Sequence, residues 1–99
     1  MKPTWMRPGA SLLPVPAEYL PLHKYLDDRF ADTVVLTIAE VEDLLGSPLP
    51  ELAHLEPQWW ANGDADNPPS PQARSWIRAG RTATPNLRAR IVTFERMSA

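Results

Sequence analysis

Residues 70–99 carry six arginines (Arg74, Arg78, Arg81, Arg88, Arg90 and Arg96) against one acid, Glu95. A guanidinium is always charged, and its planar fork fits phosphate oxygens and base edges. Residues 27–66 are the reverse, with ten acids and only Arg29 as a base. The segments carry net charges of +5 and −9 within a chain of net −2. Such asymmetry marks a polyanion-binding face, or it marks two halves that satisfy each other as internal ion pairs. The charges alone fit both.

The stretch "EPQWWANGDADNPPSPQARSW" joins these halves and holds Trp59, Trp60 and Trp76. Tandem tryptophans cannot both point inward from one regular element. They diverge by about 100° on a helix and face opposite sides of a strand. One of Trp59 and Trp60 is therefore expected in the core, and the other exposed enough to stack a base or a peptide ring. Asn62 with Gly63 reads as a helix C-cap and turn.

Other chemistry is poorly supplied. There is no cysteine, so disulfides and thiolate metal sites are excluded. His23 and His54 lack metal-ligand spacing. No glycine-rich phosphate loop or nucleophile elbow is present, and no paired-carboxylate geometry can be read from Glu40, Glu42 and Asp43. The reading is a non-enzyme with neither metal nor cofactor. The N-terminal residues lack the continuous apolar stretch of a signal peptide, and no apolar run reaches the length of a membrane span. The expectation is a cytoplasmic protein without membrane partners.

Ninety-nine residues make one domain. Pro3, Pro8, Pro14 and Pro16 forbid a regular helix at the start, so residues 1–18 are expected as an extended arm and residues 19–99 as the domain. "PLHKYLDDRF" reads as a helix with Pro21 at its first position and a stripe of Leu22, Tyr25, Leu26 and Phe30. "TVVLT" reads as a strand. Thr37 and Glu40 form a capping box for the next helix, whose apolar face is Ile38, Val41, Leu44 and Leu45, and Gly46 stops it. Pro50 and Pro57 each open a short helical segment, with Leu49, Leu52 and Leu55 inward, and residues 62–71 are a loop.

Ser70 and Pro71 start a last helix. It would bury Ala73, Trp76, Ile77 and Gly80 and turn Gln72, Arg74, Ser75 and Arg78 outward. "RTATP" and "RARIVTFERM" read as an antiparallel hairpin turning at Pro85–Asn86. The fold class is α+β. Without the broken segment, the order helix–strand–helix–helix–strand–strand is winged-helix-like, although some two dozen residues separate the last two helices where a helix-turn-helix has a short turn.

Five blocks, "YLPLHKYL", "LTIAEVEDLLGSPLP", "WWAN", "QARSWIRAG" and "VTFER", occur in an order that resembles a small bacterial domain family of unknown function. The resemblance covers nearly everything from Tyr19 onward and implies a compact α+β fold without naming an activity. Three departures stand out. Leu52-Ala53 replaces the family's Ser-Ala, the loop after Asn62 lacks its usual His, and Arg81 stands where an aromatic residue is usual.

The leading expectation is therefore a small binding module with a nucleic-acid face. Arg74, Arg78, Arg81, Arg88 and Arg90 would contact phosphates, and Trp59 or Trp60 would stack, provided the hairpin folds back beside the last helix. The alternatives are a protein-interaction adaptor or homodimer, and an accessory resistance or immunity protein that sequesters a ligand in an aromatic pocket.

Overall fold

The computed structural model describes residues 14–64 and 66–97. Most of the expected N-terminal arm therefore lies outside the described residues. Of its described end, Val15 is buried and Ala17–Tyr19 form a single 3-10 turn. Then follow α1 (Leu20–Asp27), β1 (Thr33–Thr37), α2 (Ile38–Leu45), α3 (Glu51–Leu55), a 3-10 turn (Pro57–Trp60), α4 (Arg74–Ile77), β2 (Arg81–Asn86) and β3 (Ile91–Arg96). The strands form an antiparallel sheet in the order β1-β3-β2. Helices lie on one face of it, so the class is α+β with a C-terminal hairpin.

The sequence patterns explain most of these elements. In β1, Val34 and Leu36 alternate inward while Thr33, Val35 and Thr37 face out. The capping box is formed: Thr37 Oγ1 accepts from the Glu40 N–H, and Glu40 Oε1 accepts from the Thr37 N–H at 2.8 Å. Gly46 ends α2 at φ 75°, a left-handed conformation that suits glycine. Ser70 Oγ accepts from the Ala73 N–H, opening the turn that becomes α4.

Several expectations are corrected. The helix α1 ends at Asp27, so Phe30 leaves the stripe and stands 97% exposed in the following loop. On α3 the buried residue is Ala53, and Leu52 and Leu55 point to solvent. The reason is Trp60, whose indole Nε1 donates to the Ala53 carbonyl at 2.9 Å, an approach that wants a small side chain. Ser75 is buried rather than outward, and its Oγ donates to the Gln72 carbonyl. Pro85 lies within β2, and the hairpin turn is residues 87–90, held by Asn86 Oδ1 accepting from the Ala89 N–H.

The elements run helix, strand, three helices, strand, strand, and the described residues include no recognition helix of the kind a winged helix has. The segment in that position, α4, is four residues long. It packs chiefly against α1 and β2, and Ser75 and Trp76 at its centre are buried. One turn with an inward centre offers little surface to a groove.

The core fills the space between sheet and helices: Leu22, Leu26, Val34, Leu36, Ile38, Val41, Trp60, Trp76, Val92 and Phe94. Burial of such side chains contributes about 1.5–3 kcal/mol each. An aromatic chain runs through it. Trp59 meets Trp60 edge-on at 4.7 Å, Trp60 stacks on Trp76 at 5.7 Å, and Trp76 tilts against Phe94 at 5.8 Å.

Candidate functional site: the two sheet edges and the arginines

The arginines do not make one face. Arg81 is 1% exposed and points into the core side of the sheet. Its Nη2 donates to the carbonyls of Ala31 (2.8 Å) and Arg29 (3.0 Å), its Nη1 to those of Asp32 and Phe94, and its Nε to that of Leu26. It is thus a staple for the loop between α1 and β1. Burial, with Arg96 adding to it, pushes its pKa down, while Asp32 acts the other way. This corrects its assignment as a phosphate ligand, because those donors are already spent inside the fold. The two-residue period of "RTATP" carries the missed signal: Arg81 shares its strand face with the buried Ala83.

The remaining arginines are split. Arg78 lies at the end of the hairpin where Gly80 O accepts from the Met97 N–H. Arg88 and Arg90 are exposed in the turn at the other end, with Arg90 at φ 57°. The strand between is six residues, roughly 17–20 Å long at the usual rise. The hairpin therefore carries Arg88 and Arg90 away from Arg78 instead of folding back beside it. Arg74 is half-buried on α4. An ion pair joins the acidic and basic halves at Arg96 Nε and Asp32 Oδ1, 3.3 Å apart.

The tandem tryptophans divide as expected. Trp60 is buried at 1% and Trp59 is half-buried, its ring edge-on to Tyr19 at 6.5 Å. Tyr19 has its pKa raised by burial and by the nearby Glu18. Trp60 and Trp76 stack on each other, so the aromatic residues form a packed core and not a ligand pocket. The stacking role assigned to Trp60 is thereby corrected, and only Trp59 retains any access.

Asn62 has a larger part than a turn. Its Oδ1 accepts from the Ala83 N–H (2.7 Å) and from Trp76 Nε1 (2.8 Å), and its Nδ2 donates to the Ala83 carbonyl (3.1 Å). One side-chain amide thus pairs with both outward groups of Ala83, as a neighbouring strand would. Pro85, two residues on, has no N–H to offer. Gln72 Nε2 anchors the same segment by donating to the Trp59 carbonyl. Asn62 thus closes the β2 edge at Ala83.

The β1 edge is different. The bond from the Arg96 N–H to the Asp32 carbonyl fixes the pairing parity. Val34 and Leu36 therefore bond to β3, while Thr33, Val35 and Thr37 turn their backbone groups away from it. The Thr37 N–H is satisfied by Glu40. Among the described residues nothing bonds to the outward groups of Thr33 and Val35. The Val35 side chain is 52% exposed. Beside this edge runs a groove of about 270 Å³ lined by Tyr25, Leu36, Glu40, Asp43 and Leu44.

Among the described residues, no three His, Cys, Asp or Glu side chains are placed to hold a metal ion. His54 and Glu42 approach at 3.4 Å, and the same Glu42 oxygen accepts from the Leu49 N–H. No described helix is long and apolar enough to cross a membrane. No curated protein and no solved structure matches the chain. Residues 19–98, from the helix-opening Tyr19 through β3, match the family described as domain of unknown function DUF7662, and the chain belongs to that family.

Proposed function

We propose that this domain is a non-enzymatic binding module that works by protein–protein contact along the open edge of its sheet. One observation carries the reading. The β2 edge is closed by Asn62 and Pro85, while β1 presents unpaired backbone groups beside exposed apolar side chains. An open strand edge is a template for another strand, and proteins that do not use one usually blunt it. Val35→Pro tests this, because it removes an N–H that the sheet itself does not use. Protein partners captured by the wild-type domain in its host should be lost from the variant, with circular dichroism unchanged. Equal capture by both proteins refutes the reading.

Contact with nucleic acid is a second reading, supported by the exposed Arg88 and Arg90 at the hairpin tip. Two such arginines would give a shallow dependence of affinity on salt, losing about one unit of slope for each arginine removed. Fluorescence anisotropy with mixed-sequence DNA and RNA at low salt tests it. Binding that Arg88→Ala with Arg90→Ala leaves unchanged removes it.

A further inference from the structure

We infer that the occupant of the β1 edge is a second copy of this chain, paired antiparallel across a twofold axis so that two three-stranded sheets become one. This rests on the edge-binding reading above and names its partner.

The strand is close to self-complementary. Reversed about Val34, the strand sets Thr33 against Val35 and Val34 against its own copy, so β-branched residues meet β-branched residues. Its hydrogen-bonding groups select the register. Glu40 already holds the Thr37 N–H, which leaves the N–H and C=O of Thr33 and Val35. An antiparallel twofold at Val34 sets Thr33 opposite the partner's Val35 and Val35 opposite the partner's Thr33. All the free groups are then used, and none is left over.

The same register explains Phe30. This ring is 97% exposed, three residues before the strand. A large aromatic side chain gains most of its stabilisation on burial, and no described residue of its own chain covers it. In the symmetric pair, the strand direction brings the partner's Phe30 to the first turn of α2, beside the groove of Tyr25, Leu36 and Leu44. The charges agree. Glu40 and Asp43 line that groove, and Phe30 is preceded by Arg29, whose guanidinium already lies over the Tyr25 ring of its own chain at 4.0 Å. Each copy thus offers an arginine–phenylalanine pair and an acidic, apolar-floored groove, an isologous arrangement. So short a contact belongs to the weak, transient class of interfaces.

Sedimentation velocity of the full chain over a wide concentration range tests the inference. A reversible dimer is expected. Phe30→Glu, at a position too exposed to affect folding, should weaken it by about tenfold or more, as should Val35→Pro. Arg29→Glu should weaken it too, and adding Asp43→Arg should restore it, which a merely structural role for either residue would not produce. A chain that stays monomeric at every concentration overturns the self-pairing. A dimer insensitive to both Phe30→Glu and Val35→Pro overturns it as well. If that monomeric chain still captures another protein in a manner sensitive to Val35→Pro, the edge reading stands and only the identity of the partner falls.

Discussion

The two outer strands of this sheet are treated in opposite ways. Along β2, Asn62 occupies both outward groups of Ala83, Pro85 removes an N–H, and Arg81 beside them is sealed inside. Along β1, Thr33 and Val35 present their backbone to the surroundings, and the neighbouring side chains Val35 and Phe30 are exposed. Both strands are short, and β2, with Ala83, Pro85 and Asn86, has the weaker strand propensity, so propensity does not explain why it is the finished edge. The difference is that side chains distant in sequence were recruited to finish one edge. Closing an edge takes dedicated residues, and among the described residues the other edge has none beyond Glu40 at its last N–H.

The comparison can be broken most severely at the inner end of β2. Arg81→Met should destabilise the domain by roughly 3 kcal/mol, because it leaves several carbonyls of the α1–β1 loop without their donor. Urea denaturation reads it, and a midpoint equal to wild type would show that water serves those carbonyls as well as the guanidinium does. The loop carrying Phe30 should loosen in the same variant, so any contact made through Phe30 should weaken with it.

Asn62→Ala comes next, at about 2–3 kcal/mol, since it removes the partners of Trp76 Nε1 and of both Ala83 groups. It should also turn β2 into a second open edge, visible as faster exchange of the Ala83 amide. Loss of stability without faster exchange would place the effect in the tryptophan and not at the edge.

Thr37→Ala should cost about 1 kcal/mol by removing half of the capping box. It tests whether α2 holds the end of β1 in place. Amides of residues 38–41 should exchange faster, and unchanged rates would deny the cap its energetic role.

The smallest effect lies in the loop that carries Asn62 towards α4. Asp64 Oδ1 accepts from the N–H groups of Asp66 and Asn67, each at 2.8 Å, and these bonds hold its pKa below the ordinary carboxylate value. A lowered folded pKa means that the contribution is complete above the unfolded value and is lost as pH falls through the folded one. Acidification should therefore release the Asp66 and Asn67 amides, as seen by NMR, before the sheet responds. Simultaneous release would show that the loop and the β2 edge form one unit.

Local signals carried most of the fold into the sequence. The β1 alternation, the Thr37–Glu40 box, the Gly46 stop and the Ser70 start are all readable within a few residues, and each is present. What was not legible depends on contacts between distant segments. Leu52 and Leu55 fit an inward stripe by spacing, but the Trp60 indole demanded Ala53 at that surface. Arg81 has the two-residue spacing that puts it on the buried face of β2, but the carbonyls that hold it there lie some fifty residues earlier in the chain. Proline marks turns, so Pro85–Asn86 reads as one, whereas Pro85 lies within β2 and blunts an edge. The five-arginine face required the hairpin to fold back over α4, and no local pattern reports the direction a strand takes after a glycine.

The contrast between edges is tested most directly by amide hydrogen exchange at Ala83 and Val35, measured in dilute and in concentrated protein. Ala83 should be protected at every concentration, because Asn62 is its partner within the chain. Val35 should exchange freely when dilute and become protected as concentration rises. A Val35 amide as slow as that of Ala83 in dilute solution, or one that stays fast however concentrated the protein, would contradict the account.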